Sequence, residues 1–79
     1  MVTIEEFIER LEYEFETIEP GILKQDSILR DVIDWNSVNA LILIAMINTE
    51  YDVIINADDL RDIKSVKDIY SIIVSRLSI

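Results

Sequence analysis

The sequence contains no cysteine and no histidine among its 79 residues. The lack of cysteine excludes disulfide bonds, and the lack of both residues removes the usual zinc ligands and the commonest general base. The carboxylates of Asp58, Asp59 and Asp62 do not have the order of an EF-hand loop, whose central glycine is missing. We therefore expect no catalytic residues and no metal site.

Glycine and proline are almost absent, with one of each, while hydrophobic residues make up 51% of the chain. This composition argues against disorder and against a turn-rich β-sandwich. The length is typical of a single domain with one core, here residues 1–79. The N-terminus has no signal-peptide pattern and the apolar run at 40–47 is too short to span a bilayer. We expect a cytoplasmic, monomeric protein.

Basic residues are also few, with 7 Lys and Arg against 16 Asp and Glu, a formal net charge of −9. This charge repels the phosphates of nucleic acids and of anionic lipids. We therefore exclude nucleic acid and membrane insertion as functions and favour a protein partner with a basic surface.

Three segments have the apolar spacing of α-helices, and a fourth, short helical turn follows a cap residue. Their starts carry good cap residues: Thr3, Asn56 and Ser65, with Asn36 and Ser37 as two candidates for the central helix. The predicted helices cover about 4–15, 36–51, a short turn containing Leu60, and 65–77. We therefore predict an all-α fold, a small four-helix bundle of three longer helices and one short helix.

A long connection at residues 17–36 separates the first two helices. Pro20 and Gly21 end the first helix, because proline lacks an amide donor and glycine readily takes left-handed angles. A short turn is predicted at 27–32, and apolar side chains should pin the connection to the core. These are Ile28, Leu29, Val32 and Ile33. So long a loop in a small domain is usually functional.

The central helix has more apolar residues than one buried face requires. The core stripe is predicted to be Ala40, Leu43, Ile44, Ile47 and Tyr51. Val38, Leu41, Ile42 and Ala45 then form a neighbouring face. For Leu41 we predict enclosure by the neighbouring helices. A domain this small rarely surrounds a helix completely, however, so part of this face should stay exposed. We expect Ile42 and Ala45 to be exposed and to offer a partner surface.

Two interpretations of Ser37 remain open from the residues alone. As a helix cap its hydroxyl would accept a backbone hydrogen bond, which is the commoner role of such a serine. A helix N-terminus also stabilises a phosphate esterified to a serine, through free amides and partial positive charge. Trp35, next to this site, is interpreted as a loop anchor rather than as part of a docking surface, since an indole buries much area.

The segment DWNSVNALILIAMINTEYDVIINADDLRDIKSVKDIYSII, residues 34–73, resembles the acyl carrier and peptidyl carrier protein family. Its family motifs are a D-S-L start of the second helix, an aromatic exit from it, a D-D-L short helix and an S-V-x-D-I start of the last helix. The matching stretches here are 36–38, 51–55, 58–60 and 65–69. The order and spacing of these motifs carry the resemblance, and they imply a four-helix bundle of acyl-carrier type.

The resemblance implies that Ser37 receives 4′-phosphopantetheine from coenzyme A through a phosphopantetheinyl transferase. The arm would carry acyl or aminoacyl groups as thioesters to acyl-transferring or ketosynthase-type enzymes, in fatty acid, other lipid, polyketide or secondary-metabolite synthesis. In the family the second helix and the loop before it dock these partners. The matching residues are Trp35, Asn36, Val38, Leu41, Ile42 and Ala45.

Three departures from the family pattern separate this chain from a housekeeping carrier. Asn36 and Val38 stand where the family usually has Asp and Leu, and the central helix lacks the expected acidic residues before Glu50. We therefore predict a specialised carrier whose docking is more apolar and less sensitive to salt. The alternative is an acidic helical interaction module that has a carrier-like fold and is never modified.

Overall fold

The computed structural model describes residues 3–16, 18–19 and 21–77. Their five α-helices are α1 (Ile4–Glu14), α2 (Leu29–Val32), α3 (Ser37–Tyr51), α4 (Ala57–Asp62) and α5 (Val66–Arg76). Over these ranges no β-strand is present, and an isolated antiparallel bridge joins Ile28 to Ser65. The predicted all-α fold is confirmed, with the predicted turn in the long connection forming α2.

Local sequence sets the starts of the helices. Capping boxes open α1, α4 and α5 at Thr3, Asn56 and Ser65. In each, the cap side chain accepts a hydrogen bond from a backbone amide three residues later, and the backbone amide of the cap donates to the carboxylate of that later residue. At the other end of α3, Asp52 takes left-handed angles with φ of 56°. Gly21 takes the left-handed angles predicted for it, with φ of 88°, whereas Pro20 lies outside the described residues. The prediction that Gly21 ends the first helix is wrong, because α1 ends at Glu14 with Phe15 as its C-cap.

All five helices contribute to one hydrophobic core. Its fully enclosed side chains include Phe7 and Leu11 from α1, and Ile69 and Ile73 from α5. Burial of each of these side chains stabilises the folded chain by about 1.5–3 kcal/mol. The other helices add Leu29, Leu43, Ile47 and Leu60.

The long connection is fixed to the start of α5. Backbone hydrogen bonds of 3.0 Å run from Leu29 to the Lys64 carbonyl and from Val66 to the Ser27 carbonyl. Leu29 and Ile33 are buried, as predicted, but the prediction that Ile28 pins the loop is wrong, because its side chain is 41% exposed. The extended bridge to Ser65 involves the Ile28 backbone, so the loop is held there by main chain rather than by burial.

None of the helices described, over residues 3–16, 18–19 and 21–77, is both long enough and apolar enough to cross a membrane.

Candidate functional site

The N-terminus of α3 is capped by Asn36 rather than by Ser37. Asn36 has extended angles, with φ of −140° and ψ of 173°. Its Oδ1 accepts a hydrogen bond from the Asn39 amide at 2.8 Å. One of the otherwise unsatisfied amides of the first turn is thereby paired. Of the two cap candidates in the sequence, the structure selects Asn36.

The hydroxyl of Ser37 is consequently free. Ser37 is the first helical residue of α3 and is exposed. Within the described part of the chain its side chain makes no hydrogen bond. The interpretation of Ser37 as the helix cap is therefore wrong, because its neighbour performs that role and leaves the hydroxyl facing solvent.

The loop before Ser37 is tied to the first turn of α3. The Asn39 side-chain amide donates to the Asp34 carbonyl at 2.6 Å, while the Asn39 backbone amide binds Asn36. Asn39 therefore joins the loop to the helix through both its side chain and its backbone. These two hydrogen bonds hold the loop at residues 34–36 against the first turn of α3.

Trp35 anchors the same loop. Its ring is half-buried and packs against the core. The guanidinium of Arg30, from α2, lies 5.4 Å from the ring centre. Such a cation–π contact contributes about 0.5–1 kcal/mol at an exposed site. The indole therefore serves as the predicted anchor and also contacts Arg30.

A groove of about 410 Å³ opens beside Ser37. Its walls come from α2, α3 and α4 and from the loop that carries Trp35. Leu60 and Ala40 add apolar surface, and Arg30 and Arg61 add positive charge. No carboxylate-bearing residue is among the described residues that line it. The chain has 16 acidic residues, so a groove lined by positive charge and by no carboxylate differs from the rest of the surface.

An apolar stripe follows Ser37 along α3. Val38 and Leu41 are 63% and 64% exposed, Ile42 is 37% exposed, and Ala45 is also exposed. The prediction that neighbouring helices enclose Leu41 is wrong, since the bundle covers α3 on one side only. The exposure predicted for Ile42 and Ala45 is confirmed.

The charge of α3 is confined to its end. Glu50 is the single charged residue of this helix, and it pairs with Arg10 of α1. Arg10 also lies 3.7 Å from the Glu14 carboxylate. The apolar stripe therefore has no charged side chain of its own helix within it.

Two of the acidic residues of α4, Asp58 and Asp59, are engaged in ion pairs. Arg76 binds the carboxylate of Asp59, with the closer contact at 2.7 Å, and Arg61 binds Asp58 at 3.0 Å. The Arg76 guanidinium and, next, the Asn56 backbone amide lower the pKa of Asp59 from 3.8 to about 2. These carboxylates act in caps and ion pairs.

The arrangement of helices matches a solved carrier protein. The chain is similar to the solution NMR structure of the holo acyl carrier protein from Geobacter metallireducens, with a TM-score of 0.76. The similarity covers 96% of this chain and 86% of that one, at 18% sequence identity. This chain has the acyl carrier protein fold. No protein-family model and no curated protein sequence matches it.

The structure divides the predicted site residues between two surfaces. Trp35, Asn36 and Ser37 line the groove described above, whereas Ile42 and Ala45 line a second groove between α3 and α1. Sequence reasoning did not identify Arg30 and Arg61 as neighbours of the serine. They line the same groove only in the folded chain, and no local sequence pattern reports it.

Proposed function

We propose that this chain is a carrier protein that bears 4′-phosphopantetheine on Ser37. A phosphopantetheinyl transferase would attach the group from coenzyme A, and its thiol would hold acyl or aminoacyl cargo as a thioester. The chain itself would be no enzyme. It would act in the cytoplasm, bringing a tethered substrate to each partner at a raised local concentration.

The free hydroxyl of Ser37 is the observation that carries this proposal. Asn36 satisfies the helix amide that a serine cap would occupy, so the Ser37 oxygen is accessible to an incoming enzyme. The surroundings fit a phosphodiester, because the lining of the adjacent groove is positive and apolar. The fold shared with a holo acyl carrier protein supports the same assignment.

The apolar stripe of Val38, Leu41, Ile42 and Ala45 is proposed as the docking surface for the transferase and for acyl-transferring or ketosynthase-type enzymes. It starts one residue after Ser37 and is exposed along α3. A partner that covers it would also reach the serine. Its lack of charge supports a specialised lipid, polyketide or secondary-metabolite pathway with a dedicated partner.

Intact-mass spectrometry tests the proposal. The purified chain is incubated with coenzyme A and a broad-specificity transferase, and a mass gain of one phosphopantetheine group is expected. Ser37→Ala should abolish the gain. Ser71→Ala is the matched control, since Ser71 is another exposed helical serine, and it should be loaded like the parent chain.

A second candidate is an interaction module that is never modified. The neutral Asn36 beside the serine favours it, because the family usually has a carboxylate there. The same exposed stripe would then bind a partner without any cargo. Failure of several transferases to load the folded parent chain would support this candidate over the carrier.

A further inference from the structure

Two of the four arginines of this acidic chain lie in the groove beside Ser37. Arg30 comes from α2 and Arg61 from α4, so two separate elements supply the positive charge. The other two arginines, Arg10 and Arg76, are engaged with carboxylates of Glu50 and Asp59. The groove therefore holds the two arginines that the bundle does not use to join its helices.

The two arginines are placed in different ways. The Arg30 guanidinium lies over the half-buried Trp35 ring, a contact that favours this position and leaves its hydrogen-bond donors available. Arg61 pairs with Asp58 three residues earlier, and both side chains are at least three-quarters exposed. So exposed a pair is weak, and Arg61 can exchange Asp58 for a better anion.

We propose that Arg30 and Arg61 form an anion-binding pair that receives the phosphodiester of an arm attached to Ser37. Ser37 borders the same groove as both arginines, so an anion esterified to it is attached at the edge of a groove whose walls carry two guanidinium groups. Guanidinium groups bind phosphate oxygens through paired donors. The apolar surface of Trp35 and Leu60 continues the groove for the uncharged part of the arm.

The identity of the anion rests on the proposed function, but the anion-binding pair is testable in the unmodified chain. Because the chain has no cysteine, Ser37→Cys introduces a unique thiol at the site. Its thiolate is an anion placed where the phosphodiester would begin. Its pKa is obtained from the rate of alkylation by iodoacetamide across a pH series, and circular dichroism confirms the fold of each variant.

The introduced thiol should have a pKa below the usual value of about 8.5. Adding Arg30→Gln or Arg61→Gln should each raise that pKa by about 0.5 pH unit, the effect of one partly screened charge nearby. Adding Asp58→Asn should lower the pKa of the thiol, because Arg61 then loses its ion pair with Asp58 and is available to the thiolate. Lys24→Gln is the charge-matched control, because Lys24 lines a different groove, and it should leave the pKa unchanged.

The ratio of alkylation rates with iodoacetate and iodoacetamide gives an independent measurement, because only iodoacetate is an anion. This ratio should fall about twofold with either arginine substitution and stay constant with Lys24→Gln. The proposal would be overturned if Lys24→Gln changed the thiol pKa and the rate ratio as much as the arginine substitutions do. The overall charge of the chain would then explain all of these changes.

In the loaded chain, the Nε–H resonances of Arg30 and Arg61 should shift on attachment of the arm, while those of Arg10 and Arg76 stay in place. Unshifted Arg30 and Arg61 in a loaded chain would overturn the proposal. A chain that cannot be loaded contradicts the carrier function alone, because the thiol experiment still decides whether the anion-binding pair exists.

Discussion

Arg76, the last residue of α5, donates two hydrogen bonds to the carboxylate of Asp59 in α4, at 2.7 and 2.9 Å. Its Nη1 also donates to the Ile54 carbonyl at 3.0 Å. One guanidinium thereby joins α5, α4 and the connection between α3 and α4. Paired hydrogen bonds between arginine and a carboxylate have a defined geometry, so this contact fixes the position of α4 against the bundle.

The Asp59–Arg76 contact predicts a specific acid sensitivity. The pKa of Asp59 is about 2 in the folded chain and about 3.8 without its partners. Because this pKa is lower in the folded chain, the ionised carboxylate stabilises the fold at pH values above the pKa of the unfolded chain. This stabilisation disappears as the pH falls from about 4 to about 2. Asp59→Asn should therefore be less stable than the parent at pH 7, and the difference should narrow over that range.

Urea unfolding at a series of pH values measures this difference. Asp62→Asn is the control, because it removes the same charge from the same helix at an exposed position. The control should track the parent chain at every pH. A constant gap between Asp59→Asn and the parent from pH 7 to pH 2 would contradict the assignment.

Leu41 and Leu43 allow the same substitution on opposite sides of α3. Leu43 is fully buried and Leu41 is 64% exposed. Leu43→Ala should lower the free energy of unfolding by about 2–5 kcal/mol, because it removes apolar contacts and leaves a cavity. Leu41→Ala should change it by less than about 0.5 kcal/mol. Urea unfolding at pH 7 gives both values, and comparable losses would mean that α3 is covered on both sides.

Sequence patterns were sufficient where the physical cause was local. The caps at Thr3 and Ser65 were predicted because a cap and its partner are three residues apart, and Asn56 was predicted because asparagine is a good cap residue. Which side of α3 faces the core was harder to predict. Leucine and isoleucine occur around most of this helix, so their spacing alone did not separate Leu41 from Leu43.

The surroundings of Ser37 required the folded chain. Asn36 and Ser37 are both good cap residues, and only the backbone angles assign the role to Asn36. Arg30 and Arg61 are far apart in sequence and share a groove only after α2 and α4 have packed. The attachment residue was thus a prediction from motif order, whereas its electrostatic environment depends on tertiary structure.

Two substitutions of Asn36 should separate its effect on stability, through helix capping, from its effect on recognition by the transferase. Asn36→Ala removes the cap and should lower the free energy of unfolding by about 1 kcal/mol. Asn36→Asp keeps a side chain that caps equally well and restores the carboxylate usual in the family. It should therefore be at least as stable as the parent and should be loaded faster by a transferase with a basic surface. Urea unfolding and timed mass spectra measure the two effects, and slower loading of Asn36→Asp would contradict the second.

Docking through the apolar stripe should depend on shape and burial more than on charge. The stripe of Val38, Leu41, Ile42 and Ala45 has no charged residue of its own helix, so the affinity for a transferase or cognate partner should fall by less than about threefold from low to high salt. Leu41→Gln should weaken binding by about tenfold, because burial of this side chain is lost from the complex.

Ile54→Gln is the matched control for Leu41→Gln. Ile54 is 77% exposed and lies outside α3, so its substitution should leave the affinity unchanged if the stripe itself is the contact surface. Fluorescence anisotropy of a labelled partner across a salt series compares the three chains. A steep loss of affinity with salt would assign docking to the acidic residues, and equal losses for the two variants would remove α3 as its specific surface.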